Sequence, residues 1–292
     1  MTIAPAASRA YRLALDTTEI RREEPIVAGW LTDALADTMM WRGKIGEAIH
    51  LESDAVQMYE RARNARDAAG AMVTLGVDYY MKGDFKSSLS YLMEARPKIP
   101  PGNKNLVEYL EAAMGLVLER LTGRKREALT HLNRAVKIFE ETGDRLVLLE
   151  VLSERIILRV KLGNIREAKS ELEVALKLKE STERRYSLGI LELATGALLL
   201  TEGKLSESEV CFRRAGRLLS VDAVSRGRVL WWRSLVKALR KDEKSSKELL
   251  LRARKAFEKT EATGFVQQVE SVMTSIEKSP PREARDAIAL AW

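Results

Sequence analysis

The fold turns on the stretch Met72-x2-Leu75-Gly76-x2-Tyr79-x3-Gly83-Asp84-Phe85-x2-Ser88-x3-Leu92-x2-Ala95, closed by Pro100. On either side of Gly83-Asp84 the spacings of three and four place these residues on one face of a helix. Gly83 stands where a helix can end in a left-handed turn at least cost. The stretch therefore predicts one helical hairpin, with a glycine at position 76 where a second helix must come close.

The same hinge recurs as Gly43-Lys44-Ile45, Gly123-Arg124-Lys125, Gly163-Asn164-Ile165 and Gly203-Lys204-Leu205. With Gly83 that makes five glycines exactly 40 residues apart, out of only 17 in the chain, which establishes an internal repeat. A sixth hinge, Lys241-Asp242-Glu243, has lost its glycine and is shifted by two positions. After each hinge comes a small residue, then a large apolar one, then Ala: Ala128-Leu132-Ala135, Ala168-Leu172-Ala175 and Ser208-Phe212-Ala215 repeat Ser88-Leu92-Ala95.

The Leu75-Gly76-x2-Tyr79 and small-x3-large-x2-Ala patterns resemble the tetratricopeptide repeat, best over residues 69–102, and Trp232-x2-Leu235 matches its opening. A HEAT-type array has a similar period but lacks these patterns. The resemblance covers roughly residues 26–260. It implies an all-α, right-handed α-solenoid of about six antiparallel helix pairs with capping helices. A period of 40 rather than 34 resembles the long-helix variants seen in kinesin light chains and in helical sensor domains of some regulators.

The chain in order then reads as a capping helix (1–25, with a helix over 6–24 that Pro25 stops), six hairpins (26–260), a C-terminal capping helix (261–278) and a tail (279–292). The tail is expected to be either flexible or docked, Ile288 and Trp292 then going into the groove or onto a second copy, so a homo-oligomer stays open. Pro97, Pro100, Pro101 and Gly102 form the one turn-rich connector in the middle, and the register of 40 survives it.

A hydrophobic content of 46% is ample for a core, and the single Cys211 allows no intrachain disulfide. Cys211 is expected as a small buried residue in a chain of a reducing compartment. No apolar run reaches the length of a membrane span, and Met1 to Arg9 do not form a secretory signal, so the expectation is a cytoplasmic protein. The net charge of +7 is concentrated: residues 226–259 hold 12 Lys/Arg and 4 Asp/Glu, and the rest is near neutral. One basic end suggests an acidic partner surface or nucleic acid.

Chemistry is hard to place. His50 and His131 are far apart without metal-ligand spacing and read as surface or half-packed residues. No phosphate-binding, nucleophile-elbow or zinc-protease motif occurs. No catalytic residue, metal or cofactor is therefore expected, and the chain reads as a non-enzyme.

What the resemblance implies instead is recognition along the concave wall built by the first helix of each pair. Counting back from the hinges places Asp33, Asp37, Met40 and Trp41 on the wall, then Val73, Val77, Tyr80 and Met81. Val117 and Arg120, Ile157 and Lys161, and Leu193 follow, and Arg233, Lys237, Arg240 and Lys241 end the series. The expected groove runs from acidic through apolar to basic, suited to orienting an amphipathic peptide or helix; the competing reading makes its apolar middle plain core. The carboxylate clamp of the family needs Lys and Asn where this chain has Asp33, Asp37, Val73 and Val77. The leading expectation is a protein-interaction scaffold. The alternatives are a regulatory or nucleic-acid module using the basic last repeat with Trp231 and Trp232, and a ligand sensor acting on a separate effector.

Overall fold

A computed structural model describes residues 24–180, 182–220 and 222–278; the expected leading helix, but for Glu24, and the expected docking tail lie outside them. The described chain is a run of thirteen α-helices. In order these are α1 (Pro25–Trp41), α2 (Ile45–Arg61), α3 (Ala65–Lys82), α4 (Phe85–Ala95) and α5 (Lys104–Arg120). Then come α6 (Lys125–Thr142), α7 (Arg145–Lys161), α8 (Ile165–Lys179) and α9 (Arg185–Thr201). The last four are α10 (Leu205–Leu218), α11 (Ala223–Leu239), α12 (Glu243–Glu258) and α13 (Thr263–Lys278). A 3-10 turn, Arg96–Lys98, follows α4. Odd and even helices pair as antiparallel hairpins, and the odd helices α5, α7, α9 and α11 also touch one another in turn.

The hinges explain where the helices stop. Gly43, Gly83, Gly123, Gly163 and Gly203 all have φ between 75 and 84°, the left-handed region glycine tolerates best. In the sixth hinge Lys241 takes this conformation at φ 63°, which confirms the two-residue shift. Side chains cap α4 and α12 after their hinges, and α7 after Gly143. Asp84 accepts from the Ser87 amide, Asp144 from Val147 and Asp242 from Ser245, each satisfying a donor that the first turn leaves free.

Where the small residue after the hinge is serine, its hydroxyl seals the pair. Ser88 Oγ donates to the Gly76 carbonyl at 2.5 Å, Ser208 to Gly196 at 2.8 Å and Ser246 to Ser234 at 3.0 Å, always twelve residues back. One turn on, Leu92 lies against Gly76, where an added side-chain carbon would come within 2.7 Å of it. Leu132 against Gly115 and Phe212 against Gly196 repeat that contact. Each such large side chain is removed from water almost completely, worth roughly 1.5–3 kcal/mol apiece.

The array turns far enough to meet itself. Glu261 Oε2 accepts from the Gly46 amide at 2.9 Å, and Gly264 packs on Gly83. The Phe265 ring stacks on Phe257 at 5.1 Å and meets Phe85 and Tyr80 edge-on at 5.6 and 6.1 Å. Helix α13 therefore packs on the second hinge, and the turn before it on the first, as well as on the end of the array it follows.

Candidate binding surfaces

The expected apolar middle of the groove is core. Val73, Tyr80, Val117, Ile157 and Leu193 are all 6% exposed or less. They pack between helices, because the superhelix is too tight to leave an apolar trough along its axis. What faces the axis is ionic. Arg228 of α11 forks onto Glu154 of α7 at 2.7 and 2.8 Å, and Lys161 of α7 pairs with Glu119 of α5. Beside them the Arg120 guanidinium lies 5.6 Å from the centre of the Phe265 ring. Burial raises the Glu119 carboxyl, but Lys161 and Arg120 outweigh it and hold the group at about 2. Burial lowers Lys161 to about 8 against the pull of Glu119.

The ends of the expected wall do reach solvent. Trp41 is 59% exposed, Asp37 and Val77 are exposed and Asp33 is half-buried. At the other end Arg240 donates to Ser206 Oγ at 3.0 Å, and Lys241 is exposed. Lys237 lies 3.9 Å from Asp242, and Arg233 is half-buried on Glu209 at 2.8 Å.

Trp231 and Trp232, the aromatic part of the nucleic-acid reading, are buried in the core, so neither is a platform for a stacked base. Against expectation His131 is buried too, with Nδ1 2.6 Å from Glu111 Oε2, while Arg96 holds the other oxygen of Glu111 at 2.8 Å. No group of residues with metal-holding geometry occurs among the described residues. Cys211 is buried, which pushes its thiol up to about 11.

Two cavities flank α1 and α3. The first, about 570 Å³, lies over the starts of α1, α3 and α5 and is lined by Trp30, Asp33, Tyr59, Asp67, Val77 and Tyr109. Trp30 Nε1 donates to Asp67 Oδ2 at 2.9 Å, which fixes the exposed indole at its rim. The second, about 430 Å³, lies between the first hinge and the starts of α9 and α11. Met40, Trp41, Val77, Asp78, Tyr186 and Arg226 line it. Val77 belongs to both, so the two cavities meet at α3.

Beneath them is a cluster of carboxyls. Glu52 of α2 is fully buried; burial, reinforced by the Asp33 and Asp78 carboxylates, pushes it up to about 10. Burial likewise raises Asp78 well above the carboxylate range and lifts Asp33. Glu52 is thus neutral near pH 7. The sequence reading passed over Glu52 and Asp78. Their signal was a carboxylate at an apolar position of the helical pattern, Glu52 between Ile49 and Val56 and Asp78 beside Leu75.

A chain of antiparallel helix pairs, with glycine hinges at a fixed period and first helices side by side, is a tetratricopeptide-like solenoid. No sequence-family model and no curated protein matches the chain. Solved structures do. A Rap protein complexed with competence and sporulation factor superposes with a TM-score of 0.71 at 15% identity, over 86% of this chain and 71% of that one. A STAND signal-transduction ATPase with a tetratricopeptide-repeat sensor, from Pyrococcus horikoshii, gives 0.57 at 17% identity over 97% of this chain and 43% of its own. BtubC (BKLC) from P. vanneervenii gives 0.50 at 15%, over 73% of this chain and 90% of its own. At such identities the likeness is one of fold. No helix among the described residues is long and apolar enough to cross a membrane.

Proposed function

We propose that the chain is a non-catalytic scaffold that takes a peptide or helix of a partner protein on the exposed side of α1, α3 and α5. The observation that carries this is the pair of cavities meeting at Val77, rimmed by exposed Trp30 and Trp41, with Asp33 and Asp67 on the wall of the first. Rigid aromatic side chains at the edge of a pocket supply contact area at low entropic cost. Asp33 and Asp67 on the wall of the first cavity favour a ligand with Lys or Arg side chains there. The buried residues Val117, Ile157 and Leu193 drop out of the site; Asp33, Trp41 and Val77 line its cavities, and exposed Asp37 lies one helical turn from Trp41. The absence of a catalytic motif in the sequence supports the non-enzymatic part of the reading.

The test is selection of a displayed peptide library on the purified protein. Enriched sequences with a basic residue beside an aromatic or aliphatic one are expected. Asp37→Lys with Trp41→Ala weakens them at least tenfold. Failure to enrich any sequence, or enriched sequences indifferent to both substitutions, overturns the reading.

A further inference from the structure

A second site adjoins the second cavity and shares Arg226 and Lys259 with it. Between α10, α11 and α12 lies an outer cleft of about 680 Å³ that Trp30, Trp41, Val77 and the carboxyls of the peptide reading do not line. Helix α10 brings Arg213 and Arg217 to its wall, and α11 brings Arg226 and Arg233. Helix α12 adds Arg252, Lys255 and Lys259. Among these seven cations one carboxylate is at hand: Glu209, shared by Arg213 at 3.1 Å and Arg233 at 2.8 Å. Arg217, Arg226, Arg252, Lys255 and Lys259 make no ion pair among the described residues. Such crowding of like charge is unfavourable for the protein alone, and an anion in the cleft relieves it.

The geometry points to a compact ligand carrying several phosphates in a row, such as inorganic oligophosphate or a nucleoside polyphosphate, held in the cleft of α10–α12. Three features favour this class. Five of the seven cations are arginines, and a guanidinium grips phosphate oxygens two at a time. The cleft has the volume of a small-molecule site, with Val229, Leu230 and Ala256 giving an apolar floor. The positive charge also stops after one cleft: α8, the outer helix of the preceding pair, carries Glu167, Glu171 and Glu173 among its lysines and arginine. A long nucleic acid needs an extended basic track and exposed aromatic side chains, and Trp231 and Trp232 are buried.

The test is isothermal titration of the full chain with tripolyphosphate and with ATP, at 50 and 200 mM salt. AMP and a twenty-nucleotide RNA serve as comparators. Saturable binding of tripolyphosphate and ATP is expected, at least tenfold tighter than AMP and falling at least tenfold at the higher salt, as release of counterions from several phosphate contacts requires. Arg217→Glu with Lys255→Glu, both at exposed positions, reduces it at least tenfold with an unchanged circular dichroism spectrum and melting temperature. Arg252→Glu, alone, provides a second variant should that pair disturb folding. No binding at 50 mM salt, or binding indifferent to these variants, overturns the proposal. So does binding of the RNA without tripolyphosphate, which would make the cleft a nucleic-acid contact. Peptide selection is read at Asp37 and Trp41, neither of which lines this cleft, so the two proposals fail separately.

Discussion

Gly264, at the start of α13, lies so close to the hinge residue Gly83 that a side-chain carbon on it would stand 2.2 Å from the Gly83 carbonyl oxygen. The hinge glycine answers in kind: a carbon on Gly83 would stand 2.7 Å from the Gly264 Cα. Two residues 181 positions apart thus share one contact that only glycine at both ends permits.

This contact predicts an asymmetry among the hinges. Gly163 has the same left-handed backbone but open space around it, so Gly163→Ala costs backbone strain alone, on the order of 1 kcal/mol. Gly264→Ala must push α13 off the second hinge, an overpacking cost of about 1–3 kcal/mol. Urea unfolding orders the two, and hydrogen exchange shows α13 opening in the Gly264 variant only. Equal protection of α13 in both variants would contradict the closed array.

The axial ion pair is a second test. Arg228 and Glu154 are almost buried, with side chains 6% and 14% exposed. Removing one partner strands a charge, so Arg228→Met costs about 3–5 kcal/mol, whereas Arg228→Met with Glu154→Met recovers much of it. A double-mutant cycle on thermal unfolding measures the coupling, and additive losses would show that the pair does not hold the axis.

Glu52 predicts a pH dependence of definite sign. Its folded-state value, about 10, is far above the ordinary carboxylate value of about 4.3, so the folded chain keeps a proton that the unfolded chain releases. The stability tied to that proton is complete below about pH 4 and declines as pH rises toward 10, by at most about 1.4 kcal/mol per pH unit. Glu52→Gln, neutral throughout, removes this slope. Its stability relative to the native chain rises between pH 5 and pH 9, as denaturant melts across about that range would show. Parallel pH profiles for the two proteins would mean that Glu52 is ionised.

Tryptophan fluorescence separates the two ends of the array. Trp30 and Trp41 are 54% and 59% exposed, while Trp231 and Trp232 are 1% and 5% exposed. In a Trp292→Phe background, iodide quenches the native emission and loses most of that effect once Trp30 and Trp41 are changed to Phe. Strong residual quenching from Trp231 and Trp232 would contradict the buried placement, and with it the choice against base stacking in the basic cleft.

The repeat, the hinge positions and the small residue after the hinge were legible in the chain itself. All three are local: a glycine stops a helix where it stands, and Ser88 reaches Gly76 only twelve residues away. Helical periodicity likewise says that Val117 and Ile157 face something apolar, but not whether that is a groove or another helix. That choice depends on how tightly six pairs coil, a sum of small rotations written in no single stretch. The coiling brings Glu154 to Arg228, Gly83 to Gly264 and Arg120 to Phe265, and so replaces an open apolar trough with a charged axis. It also buries Trp231 and Trp232 while leaving the cations beside them in the outer cleft. The sequence by itself determined the unit and its period, because these rest on neighbouring residues. Only the tertiary structure decided which faces remain open, because accessibility is settled by contacts between units far apart in the chain.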